Sequence, residues 1–267
     1  MKTNLLIFLV FGFAIPVWAG SEVRARLEST ASKVAWVDVD ALVEDGHVRI
    51  NLNGPMAHGA VIYDQKTSQI TLVDDLNKMV IPVGETAQTA LKMMGFMASS
   101  QLKSQMEGAP PSAKLAFHLV EENAQALLNG SPILGQKNVQ MDGFRCDLYE
   151  TSGTGGKIRE VWMAPRESTG ISSEDYETLW SLTRLALDLV GRELGQLGAD
   201  TGSFLQGYSN TQFPVHVALY ANGKISSRFK IISVNQRSLG PGPFDAPASY
   251  QTVGLMDLIQ QGMKGNN

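Results

Sequence analysis

Trp36-Val37-Asp38-Val39-Asp40-Ala41-Leu42-Val43-Glu44-Asp45-Gly46-His47-Val48-Arg49-Ile50-Asn51-Leu52-Asn53 carries a period of two. Val37, Val39, Ala41 and Val43 fall on one face, with Trp36, Asp38, Asp40 and Leu42 on the other. Such alternation describes a strand with one buried side. Glu44-Asp45-Gly46 is a turn, His47–Asn53 alternates again, and Gly54-Pro55 ends the run. Three further short strands follow at Ala60–Asp64, Gln69–Asp74 and Met79–Val83. Five strands joined by short turns predict an antiparallel meander.

Upstream, Ser21–Ser32 is polar and reads as helix-compatible. Downstream the period changes. From Glu85 to about Met106, the residues Ala87, Ala90, Leu91, Met94, Met97, Ala98 and Leu102 recur at helical spacing. A second helical stretch spans Ala113–Leu128. Strands return at Lys137–Met141, Phe144–Thr151 and Lys157–Met163. Ser172 then caps a long helix, with Asp175 as its reciprocal partner and Tyr176, Leu179, Trp180, Thr183, Leu187, Val190, Leu194 and Leu197 as its apolar stripe. Asn222-Gly223 between Pro214–Ala221 and Ile225–Asn235 is a strong hairpin signal. A helix over about Val253–Met263 closes the chain. The class is α+β, a mainly antiparallel sheet with helices inserted between groups of strands.

The N-terminus sets the compartment. Lys2 precedes an apolar run from Leu5 to Ala19 that is interrupted by Gly12 and Pro16. The run is short for a membrane span, which needs roughly 20 residues. Val17-Trp18-Ala19 offers slender residues at the two positions a signal peptidase inspects, so cleavage is expected before Gly20. An uncleaved anchor helix is the alternative. Residues 1–19 are thus read as a signal peptide and residues 20–267 as a single domain. The one cysteine, Cys146, lies far from that junction and cannot take a lipid there, so the protein is not read as a lipoprotein. An exported chain with one cysteine has no internal disulfide, which fits a bacterial periplasm. Net charge is −4 with no basic stripe, which argues against a nucleic-acid partner.

Candidate chemistry is sparse. His47, His58, His118 and His216 make no metal-ligand spacing with one another or with Cys146. Cys146, in a strand between Phe144 and Leu148, reads as a buried small hydrophobe. Ser152-Gly153-Thr154-Gly155-Gly156 lacks the Lys-Ser/Thr ending of a phosphate loop and reads as a hairpin turn. No catalytic residue, metal or cofactor is expected, and the chain is read as a non-enzyme. The feature to pursue is methionine. Met93, Met94 and Met97 cluster in one helix, and flexible thioethers suit surfaces that accept varied apolar partners. Ordinary core packing and Cu(I) binding by thioethers are the other readings of the same residues.

Several segments, in order, resemble a family of exported bacterial proteins of unknown function related in fold to the lipoprotein carriers LolA and LolB. They are Asp45-Gly46-His47-Val48-Arg49-Ile50, Ala60-Val61-Ile62-Tyr63-Asp64, Leu72-Val73-Asp74 and Asn77-Lys78-Met79, then Gly143-Phe144-Arg145-Cys146-Asp147-Leu148-Tyr149, Val161-Trp162-Met163-Ala164-Pro165 and Phe244-Asp245-Ala246-Pro247-Ala248-Ser249-Tyr250. The resemblance implies a strongly curved antiparallel sheet, an unclosed barrel, wrapped around the inserted helices. It brings no catalytic residues. Two functions follow as expectations. One is a periplasmic carrier for an apolar ligand, a lipid or an acylated protein, with Met94, Met97, Trp180 and Leu187 lining the ligand space. The other is a structural or regulatory interaction module of the cell envelope, with a filled core and a protein partner.

Overall fold

The computed structural model describes residues 20–29, 35–55, 57–85, 88–89, 132–153, 155–196, 211–240 and 242–258. They form twelve strands, β1 (Ser21–Ser29), β2 (Ala35–Glu44), β3 (His47–Asn53), β4 (His58–Asp64), β5 (Gln69–Asp74), β6 (Met79–Val83), β7 (Ile133–Met141), β8 (Phe144–Gly153), β9 (Gly156–Pro165), β10 (Gln212–Ala221), β11 (Lys224–Gln236) and β12 (Gln251–Thr252). Two helices, α1 (Arg166–Thr169) and α2 (Ser173–Gln196), lie between β9 and β10.

All twelve strands belong to one unclosed sheet, in the order β12-β6-β5-β4-β3-β2-β1-β11-β10-β9-β8-β7. Every pairing is antiparallel except β12 against β6. The expected meander is β2–β6, in consecutive register. The two-residue turns Asp45-Gly46, Asp142-Gly143 and Asn222-Gly223 have positive φ at both residues, the conformation that matches strand twist in a tight hairpin.

One expectation fails at the N-terminus. Ser21–Ser29 is a strand, inserted centrally between β2 and β11. Val23, Ala25 and Leu27 alternate with Glu22, Arg24, Arg26 and Glu28, and the charges that made the stretch look helical find cross-strand partners. Arg26 Nε lies 2.6 Å from Asp38 Oδ1. The segment Ile133–Gln136 also belongs to β7, ahead of the expected start at Lys137. Near the C-terminus, Gln251–Thr252 is a strand and residues 255–258 are helical, the part of the expected Val253–Met263 helix beyond 258 lying outside the described residues. The expected helices Glu85–Met106 and Ala113–Leu128 fall outside the described residues, apart from helical Glu85, Gln88 and Thr89. The sheet's wrapping around them is therefore not described.

The core follows from the register. Val43, Val48, Tyr63, Ile70 and Val83 are successive cross-strand partners from β2 to β6, and all are buried. α2 adds Tyr176, Leu179, Leu182 and Ala186 to the same cluster. β9 is buried without interruption from Ile158 to Ala164, so neither of its faces meets solvent.

Candidate functional site

Of the four residues expected to line an apolar ligand, the structure places one side chain. Trp180 stacks on Tyr176 at 5.9 Å and 14° and is partly buried against the core. Leu187 lies on α2, but its side chain is outside the described residues, as are Met94 and Met97. The described half of α2 is fastened to the sheet. The Tyr63 hydroxyl and Ser181 Oγ are 2.6 Å apart, and Thr178 Oγ1 donates to Gln65 Oε1 at 2.9 Å. The expected Ser172 cap is present, with Asp175 N–H donating to Ser172 Oγ at 3.2 Å, and Ser172 Oγ in turn donates to Asp175 Oδ2 at 2.7 Å, side chain to side chain. Asp175 is 0% exposed, and its Oδ1 has no hydrogen-bond partner among the described residues. Burial, opposed by the Ser172 hydrogen bond and aided by the charges of Glu174, Asp45 and Glu44, pushes its carboxyl up to about 7.

A second region was not foreseen. β7 is the last strand of the sheet and pairs only with β8 among the described residues. Its first six residues are all exposed, including Ile133 at 70% and Leu134 at 38%. Two register shifts, between Leu134 and Gln136 and between Gln136 and Val139, bulge its middle. Asn138 sits there with φ 57°, and its N–H donates to Asp147 Oδ1 at 3.1 Å. The apolar pair Ile133-Leu134 was the available sequence signal, but Gly135 masked it by breaking the alternation.

Behind this edge lies a polar framework. Asp142, in the β7–β8 turn, has its Oδ2 2.7 Å from His216 Nδ1, and the His216 ring meets Trp162 edge-on at 4.7 Å. Register explains the contact, because Leu148, Trp162 and His216 are cross-strand partners. Gln212 accepts from the Tyr149 hydroxyl at 3.0 Å and donates to Asp147 at 3.1 Å. Lys157 bridges Glu150 and Glu160, and Glu160 accepts from the Tyr220 hydroxyl at 2.6 Å. Buried Arg159 donates to Thr151 Oγ1 at 3.0 Å. None of these pairings could be read from sequence separation; Asp142 and His216 are 74 positions apart.

Cys146 belongs to the same region, is 1% exposed, and has its thiol pushed up to about 12 by burial and then by Asp142 and Asp147. A thiol so held is not a nucleophile near neutral pH, because the thiolate is the reactive form. Ser152–Gly156 is a hairpin connection, with Gly153 opposite Gly156. Among the described residues no group of three or more His, Cys, Asp and Glu is arranged to hold a metal. No described helix is long and apolar enough to cross a membrane.

The opposite edge is closed by the chain itself. Residues 242–253 run along β6 as a strap. Gln251 N–H donates to Lys78 O and Val253 N–H to Val80 O, both at 2.9 Å. Arg49 Nη1 donates to the carbonyls of Pro243 and Asp245 at 3.2 and 3.0 Å. The Tyr250 hydroxyl donates to Asp75 Oδ1 at 2.8 Å and accepts from Lys78 Nζ at 3.0 Å. Ala246 and Tyr250 cover Ala60, Ile62 and Val73 on the outer face of β4 and β5.

No family model matches the chain, and no curated protein does. Some solved structures are similar to it at low identity. One is an uncharacterized conserved protein from Thermus thermophilus, with TM-score 0.44 and 7% identity over 95% of this chain and 99% of that one. Another is MucB in complex with MucA(peri), with TM-score 0.38 and 12% identity over 94% of this chain and 62% of that one. A third is the Pseudomonas aeruginosa MucA/MucB complex, with TM-score 0.38 and 10% identity over 94% of this chain and 62% of that one.

Proposed function

We propose that the chain is an exported, non-enzymatic binding protein of the periplasm, processed before Gly20, whose residues 20–267 form a single interaction domain. Its partner is a polypeptide that adds a strand to the β7 edge. The observation that carries this reading is the exposure of β7 at a sheet end, where no other described strand pairs with it and Ile133 is 70% exposed. An unpaired edge offers a row of backbone donors and acceptors, and an extended segment satisfies them with affinity from the main chain and specificity from alternate side chains. The polar framework behind it, Asp142–His216 and Gln212–Asp147, ties the β7–β8 hairpin to β10 and holds that edge in one position.

The test places a photo-crosslinking amino acid at position 133 in cells. One discrete adduct, absent when the crosslinker is at exposed Leu76 and lost on Val139→Pro, supports strand addition. Equal labelling from both positions argues against it.

A second reading, the apolar-ligand carrier, draws support from Trp180, whose indole is only partly buried on α2. It has Met94, Met97 and Leu187 as further lining residues. Protein purified without detergent that carries no lipid and takes up no fluorescent fatty acid excludes it.

A further inference from the structure

We propose that Asp175 is a proton-set latch: in its neutral form it keeps the first turn of α2 docked beside the β2–β3 turn, and in its ionised form it releases that turn to solvent while the rest of the described helix stays on the sheet. The latch is a property of the α2 end of the molecule and does not depend on strand addition at β7.

The geometry divides α2 into a loose end and a fastened one. In the first turn, residues 173–177, only Asp175 and Tyr176 are buried. From Thr178 onward the helix is tied down. Thr178 Oγ1 donates to Gln65 Oε1, the Tyr63 hydroxyl meets Ser181 Oγ, and Leu179 and Leu182 enter the core. On the other side, α1 is held where Arg166 N–H donates to Thr211 O at 2.8 Å. Gly170, in the left-handed conformation at φ 81°, follows α1 and supplies a joint. The first turn of α2 therefore lies between two fixed points, with a glycine on its N-terminal side.

The buried carboxyl decides whether that turn stays in place. The Ser172 hydroxyl serves Asp175 Oδ2, and Oδ1 has no hydrogen-bond partner among the described residues. A neutral carboxyl tolerates such a site, whereas an ionised one carries charge on an oxygen that nothing solvates. Three acids add repulsion: Glu174 on the same helix, and Asp45 and Glu44 from the β2–β3 turn and the end of β2. Glu44 is held where it stands, because it accepts from the Leu239 N–H at 3.2 Å and from Ser238 Oγ at 3.3 Å. Asp45 sits in a two-residue turn at φ 50°. The group free to move is Asp175, carried on the loose end of α2. Opening gives its oxygens water; the cost is the exposure of Tyr176, which keeps the turn closed while the carboxyl is neutral.

The sign follows from linkage. In the closed form burial holds the carboxyl at about 7, and in water an aspartate titrates near 3.9. The closed form is most favoured below about pH 4 and loses that advantage progressively up to about pH 7. Between pH 5 and pH 8 the opening equilibrium is expected to rise roughly tenfold to a hundredfold.

The experiment is hydrogen exchange on the purified protein from pH 5 to pH 8, with labelling times scaled to the intrinsic exchange rate at each pH. The amides of residues 176–178 are compared with those of β4, which report global unfolding. At pH 8 the α2 amides are expected to exchange faster than those of β4, and their opening equilibrium to rise by the stated factor from pH 5. In Asp175→Asn, which cannot ionise, the rise should vanish. Three results would overturn the latch. Exchange of residues 176–178 at the β4 rate at pH 8 means that the turn opens only when the whole protein unfolds. A flat opening equilibrium in the wild-type protein removes the proton from the mechanism. An undiminished rise in Asp175→Asn assigns it to another group. The first two are read on the wild-type protein alone and hold whatever the variant does.

Discussion

At one end of the sheet, β6 carries Pro82, which has no N–H to offer a newcomer, and Gln251–Thr252 pairs alongside it. Arg49, Lys78 and Tyr250 pin the strap over that edge from three separate parts of the chain. At the other end, β7 has no proline, no covering strand among the described residues and two exposed aliphatic side chains. The strap uses hydrogen bonds and buried surface to close one edge, and no comparable device is applied to the other among the described residues. The difference teaches that the meander end is organised for stability; on the strand-addition proposal, the hairpin end keeps its pairing capacity for a partner.

That contrast breaks most readily from within the closed half. Gly59 lies on β4 where a Cβ would sit 2.1 Å from the Val73 carbonyl oxygen. Gly59→Ala must push β4 and β5 apart, and overpacking of this kind costs about 3 kcal/mol. Urea denaturation is expected to show the largest loss of stability of the substitutions considered. Next is Tyr250→Ala, which removes the bonds to Asp75 and Lys78 and uncovers Ala60, Ile62 and Val73. A loss of about 2–3 kcal/mol is expected. Hydrogen exchange should show β6 amides deprotected and those of β7 unchanged. Deprotection spreading to β7 would mean that the two ends are not independent.

Legibility in the sequence divides along the same line. The meander was readable because β2 and β3 alternate and the turns carry their own residues, as at Asp45-Gly46. The strap was half readable: Gly46-x-x-Arg49, Asn77-Lys78-Met79 and Phe244-x-x-Pro247-x-x-Tyr250 stood out as separate motifs, and only the fold shows that Arg49 and Lys78 both hold the segment that carries Phe244 and Tyr250. β1 was misread because its polar face is charged at every alternate position, and the compensating Asp38 and Asp40 belong to another strand. The β7 edge was unreadable for a different reason. Exposure at a sheet end is a property of strand order, and no local pattern encodes that order. Of the expected ligand-lining set, Trp180 alone has a described side chain, and its contact with Tyr176 follows from their spacing of four on one helix.

The attachment of α2 sharpens the comparison through pH. Asp175 titrates at about 7 in the folded protein, above the ordinary carboxylate near 3.9. Between those values the folded state holds a proton that the unfolded state has released. Stability therefore falls as pH rises from about 4 to about 7 and then levels. Asp175→Asn keeps an acceptor for Ser172 and removes the buried charge. It is expected to flatten this dependence and to stabilise the protein at pH 8 by on the order of 2 kcal/mol. Thermal melts of both proteins from pH 4 to 8 check it. Parallel curves for the two would assign the pH dependence to other groups.

The smallest stability effect belongs to the open edge, and its smallness is the point. Ile133 and Lys137 contribute little to the interior, so Ile133→Asp and Lys137→Glu should each move the unfolding free energy by no more than about 0.5 kcal/mol. A strand kept only to complete the fold would show some dependence on these side chains, because an apolar residue at a sheet end is then retained for packing. A strand kept for pairing shows none in the isolated protein. The contrast with Tyr250→Ala, several times larger at the other edge, is measurable in one set of denaturation curves. A loss of about 2 kcal/mol or more at position 133 would place Ile133 under cover in solution. That cover would have to come from another part of the chain or from a second molecule. Repeating the melt across roughly a hundredfold range of protein concentration separates those two, since only an intermolecular cover makes the midpoint depend on concentration.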